Sequence, residues 1–210
     1  MTLFVENKFI FIHIPKNSGS AMTKAIQKTY RGLKIRHYQK TERSGPNIGI
    51  DKMHLYYEVI DKFIPRKVLD KNIKFCVIRN PYDRLYSAWN FIKERHGYSD
   101  VNEFVKHKLD KEFIYGKEIK PMDARIHYRP QYTFIYDEKN KQFVDSIIRY
   151  ENLNEDLTKF NKKYNFNIRI YGKDYKFKKS YINFFNKESI KKINELYKKD
   201  FLLLNYKMIN

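Results

Sequence analysis

The stretch Lys8 to Ile14 reads as one continuous apolar strand, and Ile73 to Ile78 reads as a second. Unbroken apolar runs of this length fit strands buried on both faces, as in a parallel sheet. After the first run, Ser18 or Gly19 opens a helix to about Thr29, with Ala21, Met22, Ala25 and Ile26 on one face. After the second, Asn80 and Pro81 fit the N-cap and first helical positions of a long helix from Tyr82 to about Arg95.

The remaining pattern is consistent with this alternation. Leu33 to Tyr38 is a short candidate strand, and Thr41 to Gly49 has loop composition. Asp51 suits an N-cap for a helix from Lys52 to Phe63, ended by Pro65. Asp100 caps a helix to about Leu109. Lys111 to Pro130 is irregular and basic, and Gln131 to Tyr136 is expected to be extended. Phe143 to Tyr150 is a third apolar strand, followed by a helix over Asn154 to Lys163. The last helix spans Lys187 to Asn205, with Ile190, Ile193, Tyr197, Phe201 and Leu204 as its apolar stripe. Strands alternating with helices predict an α/β fold: a P-loop-like three-layer sandwich with a central, mostly parallel sheet flanked by helices. Residues 1–210 are expected to form a single domain.

Charge narrows the ligand. With 43 basic and 24 acidic residues the chain carries +19, which favours nucleotide phosphates, nucleic acid, acidic glycans or an anionic membrane surface. Lys, Asn, Ile, Tyr and Phe all have AT-rich codons, so base composition accounts for part of this bulk charge. It does not account for cations placed at strand ends. Cys76 is the only cysteine, so no intrachain disulfide can form. No stretch approaches the roughly 20 apolar residues of a transmembrane helix, and MTLFVENKFIF lacks the layout of a signal peptide. A soluble, cytoplasmic protein is expected, with peripheral membrane contact left open.

Both strand-to-helix junctions carry phosphate-binding chemistry. A helix N-terminus offers unpaired N–H groups and a positive dipole end. At the first junction Lys16 adds a point charge, Ser18 and Ser20 add hydroxyls, and small residues allow close backbone approach. The lysine precedes the loop, whereas G-x-x-x-x-G-K-[ST] places it after. The second strand ends in Arg79 rather than in a metal-binding Asp, so a kinase of the ordinary P-loop kind lacks both of its signatures. Arg79 can grip a phosphate bidentately, and Ser87, eight residues on, can add a donor.

HIPKNSGSAM resembles the HIPK-[TN]-x-G-[TS]-[SA] signature of carbohydrate- and membrane-associated sulfotransferases. FCVIRNPYDRLYSAWNF resembles the same family's 3′-phosphate motif. The resemblance implies 3′-phosphoadenosine 5′-phosphosulfate (PAPS) as donor and PAP as product. It implies Lys16, Asn17, Ser18, Gly19, Ser20 and Ala21 as ligands of the 5′ end, and Arg79 and Ser87 as ligands of the 3′-phosphate. It extends from Phe9 to Tyr206 through Pro130-Gln131-Tyr132, IIRYENLNEDL and ELYKKDFLLLNY. The family's His-x-Asn-x-Ser run is missing; YGKDYKFKKSYINFF stands there, with Ser180 alone retained.

An in-line sulfuryl transfer needs charge stabilisation at the leaving oxygen, a role for Lys16, and a base for the acceptor hydroxyl. His54 is the first candidate base, with Glu58 one turn later; His37 and His127 are outside candidates, and His13 reads as structural. Asp83 and Arg84 are expected to form ion pairs that hold the turn. Glu151 is expected to brace its own following helix, and Arg149 either braces it or meets ligand. No metal site is expected. The acceptor expected is a hydroxyl, or an amine, most readily on a glycan. Lys111 to Pro130 and Ile168 to Phe185 are expected to build its side of the site. The alternatives are an atypical P-loop kinase and a basic PAPS- or nucleic-acid-binding protein without catalysis; no specific nucleic-acid motif is present.

Overall fold

A computed structural model describes residues 2–37, 54–116, 124–170 and 181–210. The chain begins with a hairpin: β1 (Leu3–Val5) turns at Asn7, which sits in the left-handed region at φ 58°, and returns as β2 (Phe9–Ile12). Helix α1 covers Gly19–Thr29, and β3 covers Ile35–His37. Then follow α2 (Tyr57–Phe63), α3 (Arg66–Lys71), β4 (Ile73–Ile78), α4 (Pro81–His96), α5 (Val101–His107) and α6 (Lys111–Tyr115). A 3₁₀ turn at Ala124–His127 leads to α7 (Tyr132–Ile135), β5 (Ser146–Arg149), α8 (Leu153–Tyr164), α9 (Lys187–Leu196) and α10 (Lys198–Leu203).

The sheet order is β3-β1-β2-β4-β5. β2 pairs parallel with β4, and β4 parallel with β5. β1 pairs antiparallel with both β2 and β3, so it alone opposes the common direction. The α/β fold with its mostly parallel sheet is therefore as the alternation predicted. β2 is buried along its whole length, and its residues divide by the two-residue period of a strand. Phe9 and Phe11 join Phe75 and Val77 of β4 beneath Met22 and Ile26 of α1 and Leu157 and Phe160 of α8. Ile10 and Ile12 join Cys76 and Ile78 on the opposite face, beneath α2, α3 and α7. Both faces are covered, which is why these strands show no polar alternation.

A third cluster, set apart from the sheet faces, joins Tyr82, Leu85, Ala88, Trp89 and Ile92 of α4 to Phe104, Ile193, Tyr197 and Phe201. It fixes α4 at the carboxyl end of β4, where the second junction lies.

Several local expectations are corrected. α2 starts at Tyr57, not Lys52, and His54 to Tyr56 is irregular. His54 and Leu55 are buried there, and the imidazole is tied to the His13 carbonyl, which holds the segment out of the helix. Asp51 and the loop Thr41 to Gly49 lie outside the described residues. Lys111–Tyr115 is helical, capped by Asp110, whose carboxylate accepts from Phe113 N–H. Gln131 to Tyr136 is not extended; it contains α7. The last helix is two helices that break at Tyr197, whose hydroxyl donates to the Tyr128 carbonyl at 2.7 Å. Its stripe is nevertheless buried, at Ile193, Tyr197, Phe201 and Leu204.

Candidate active site

The two junctions differ in kind. At the first, the backbone of Lys16 and Ser18 is left-handed, with φ 67° and 60°. Neither residue is glycine, so the loop stores strain of the sort that concentrates at ligand sites. Ser18 is the N-cap of α1 but makes no side-chain cap. The first-turn N–H groups of this 11-residue helix therefore have no side-chain acceptor at their cap. At the second junction Asn80 Oδ1 accepts from Tyr82 N–H at 3.0 Å, and Glu151 Oε1 accepts from Asn80 N–H at 2.6 Å. That end is capped and faces a carboxylate. The open helix terminus belongs to α1, whereas the second junction contributes side chains.

Asn17 is 1% exposed, and its amide donates to Val77 O at 2.8 Å and to Gln131 Oε1 at 2.7 Å. The Asn17 side chain thus braces the loop, and its remaining Oδ1 is an acceptor, which does not suit an anion. Ser18 and Ala21 are half-buried and Ser20 is exposed along the start of α1. Gly19 has a use that phosphate approach did not suggest: a Cβ there would lie 1.7 Å from His13 Nε2. The glycine makes room for an imidazole. Ser87 is half-buried on α4.

Arg79 is 6% exposed. Its guanidinium lies over the Tyr150 ring at 4.4 Å and 5.7 Å from that of Tyr181, and donates from one Nη to the Lys16 carbonyl at 3.4 Å. Its Nε is buried without a hydrogen-bond partner among the described residues. Arg84 is fully buried and donates through Nε to the Pro15 carbonyl at 3.0 Å, so it supports the first loop from the second junction. Asp83 accepts from Tyr181 N–H at 2.6 Å. Each of the two residues thus ties the turn to a backbone group of another segment. Burial, reinforced by Arg79 and Arg84, brings the Lys16 ammonium down to about 8. Neither Lys16 nor Arg79 pairs with a carboxylate among the described residues. A buried cation without a counterion is costly, and a polyanion between these cations would offset that cost.

Gln131, which sequence reasoning passed over, connects the two junctions. Its Oε1 accepts from Asn17 Nδ2 and from Arg79 N–H at 3.0 Å, and its Nε2 donates to Arg79 O at 2.8 Å. Asp200 holds it in place: its carboxylate accepts from the N–H groups of Gln131 and Tyr132 at 2.9 and 2.8 Å. Burial pushes that carboxyl up to about 6 against the opposing pull of Arg84 and the N–H bonds. The Pro-Gln and Y-x-x-D stretches were the available signals. Glu151 ties the second junction to the Tyr206 hydroxyl at 2.9 Å rather than bracing its own helix. Arg149 donates to Leu204 O at 2.6 Å and is a brace.

Three histidines meet beside Lys16. The His13 and His54 rings are 4.6 Å apart, and those of His54 and His127 5.4 Å. His54 is 4% exposed, and its Nδ1 donates to the His13 carbonyl at 3.0 Å. The neutral ring therefore keeps its lone pair on Nε2. Burial brings His54 down to about 4, with Arg84 and Lys16 adding to the effect and the His13 carbonyl opposing it. His127 moves from an outside candidate to a member of this cluster. His107 is a surface residue paired with Glu103 at 3.1 Å. The Lys176 to Ser180 stretch lies outside the described residues, and so do the side chains of His37 and His96. Among the described residues no group of His, Cys, Asp or Glu is arranged to hold a metal, and no helix is long and apolar enough to cross a membrane.

A family model described as the sulfotransferase family matches residues 2–207. Searches among curated proteins and among solved structures return no significant match.

Proposed function

Since the chain belongs to the sulfotransferase family, we propose that it transfers the sulfuryl group of PAPS to a hydroxyl acceptor, most readily on an acidic glycan. The observation that carries this reading is the convergence of Lys16, Arg79 and Arg84 at an uncapped helix terminus, with no carboxylate on Lys16 or Arg79 among the described residues. The residues fit a nucleotide with anionic groups at both ends. Lys16 and the backbone from Asn17 to Ala21 hold the phosphosulfate, with the Ser18 and Ser20 hydroxyls. Arg79 and Ser87 hold the 3′-phosphate, and the partnerless Arg79 Nε is one donor for it.

Bound there, the donor supplies an activated S–O bond. The acceptor oxygen forms a bond to sulfur as the bond to the 5′-phosphate oxygen breaks, and negative charge grows on that oxygen. Lys16 stabilises this charge more in the transition state than before it. His54 takes the acceptor proton through Nε2. Burial makes it a weak base, but keeps it neutral and ready at any pH above about 5. The test is transfer from labelled PAPS to glycans, phenols and lipids; no transfer to any of them, without stabilisation by PAP, sinks the reading.

Two expectations follow from the charges. The donor kcat/KM should fall about tenfold per pH unit above about 8, where the free-enzyme Lys16 loses its proton. The kcat profile should break at higher pH, because a bound anion raises the Lys16 pKa. A Lys16→Arg variant should flatten the alkaline limb. A profile flat to pH 10 in the unsubstituted enzyme would remove Lys16 from this role. His54→Ala should lower kcat about 10²-fold or more with PAP affinity nearly intact in calorimetry. A matching loss of PAP affinity would make His54 a structural residue.

A further inference from the structure

Phe91 is 63% exposed, although its neighbours Trp89 and Ile92 are buried in the helical cluster. Helix α4 is interrupted immediately after it, at Ile92, with φ −130° and ψ 16°. A single exposed aromatic is ordinary. This one is set apart by its neighbours. The Lys16 ammonium lies 3.8 Å from the ring centroid, in direct contact with its face. The His127 ring lies 5.5 Å away, and beyond it stands His54. The ring is thus an exposed apolar surface at the reacting lysine and close to the histidine cluster.

We propose that the Phe91 ring is the platform for the acceptor, covered by the Lys16 ammonium until the donor draws that ammonium away. This rests on the donor reading above. Without an anion, Lys16 has no carboxylate partner among the described residues, and the aromatic face is where its ammonium rests. A charge-assisted hydrogen bond to phosphosulfate outweighs a cation–π contact. Donor binding therefore uncovers the ring, and donor precedes acceptor. The flat face suits a six-membered ring with an apolar C–H face and hydroxyls on its rim, the form of a pyranose. Such a ring, stacked on Phe91, presents a rim hydroxyl beside Lys16 and the His127–His54 pair.

The probes are methyl β-D-glucuronide, a cyclic acid, and gluconate, an acyclic acid of the same charge, read by saturation-transfer NMR on the full chain. PAP affinity is read separately by calorimetry. With PAP bound, glucuronide should receive saturation on its C–H face, and gluconate should receive little. Without PAP the glucuronide signal should fall about fivefold or more, because the ammonium competes for the ring. Phe91→Leu should lose the signal to a similar extent while PAP affinity stays within about threefold, and Phe91→Trp should restore it. An equal signal without PAP overturns the latch. Equal signals for both acids, a signal unchanged in Phe91→Leu, or no signal in any state overturns the platform. Failure of the unsubstituted protein to bind PAP is a separate result, and it overturns the donor reading beneath.

Discussion

Lys16→Met should lower transfer by about 10²–10³-fold or more, the loss seen when one preorganised donor to a developing oxyanion is removed. Methionine keeps length and apolar stem, so the loop and the Phe91 contact retain their packing. What disappears is the charge. Removing it also removes the cost of burying the ammonium and its repulsion from Arg79 and Arg84, which together hold it down to about 8. Thermal stability should therefore hold or rise while activity collapses, a trade expected at a site built for a ligand rather than for stability. PAP lacks the sulfuryl group, so its affinity should fall by much less than kcat. Rates within tenfold of the unsubstituted enzyme would show that the leaving oxygen is stabilised by another group. A lower melting temperature would show that Lys16 holds the loop.

Much of this site is legible in the sequence because its signals are local. The apolar runs of β2 and β4, the Asn80-Pro81 start of α4 and the small residues after Lys16 lie within a few residues of what they specify. The Asn80 cap of α4 was legible, but the carboxylate that closes the second junction was not, because Glu151 reaches Asn80 from 71 positions away. Gln131 was missed for the same reason: its partners Arg79 and Asn17 are 52 and 114 positions distant. The aromatic and β-branched residues Tyr132, Thr133, Phe134 and Ile135 favour extended backbone. They form a helical turn because Asp200, 68 positions on, accepts two N–H groups at its start. In each of these cases the deciding contact is a polar one between segments far apart in sequence. The acceptor side was the least legible, since Phe91 reads as one more aromatic on α4 until Lys16 is seen over its ring.

Gln131→Ala tests whether the two halves of the site are coupled. The substitution leaves Arg79 N–H, Arg79 O and one Asn17 amide hydrogen without partners in a buried setting. At roughly 1–3 kcal/mol for each orphaned group, with a water able to rescue part of the loss, about 3–5 kcal/mol of stability should go. That corresponds to roughly 10 °C in Tm for a chain of this size. Stability alone does not distinguish a brace from an aligner; the donor series does. In the proposed binding mode PAPS engages the first loop and Arg79 together, whereas adenosine 5′-phosphosulfate lacks the 3′-phosphate and engages mainly the loop. If Gln131 fixes the register of Asn17 against Arg79, its loss should raise KM for PAPS by about tenfold more than KM for the shorter donor, since a misplacement near 1 Å is felt only by a ligand held at both ends. Equal losses for the two donors, measured well below the variant's melting temperature, would reduce Gln131 to a packing role. Gln131→Glu sharpens the contrast. It keeps an acceptor for Asn17 and Arg79 N–H, but sets a carboxylate against the Arg79 carbonyl, where the amide donated. It should therefore recover little of the stability and none of the preference for PAPS.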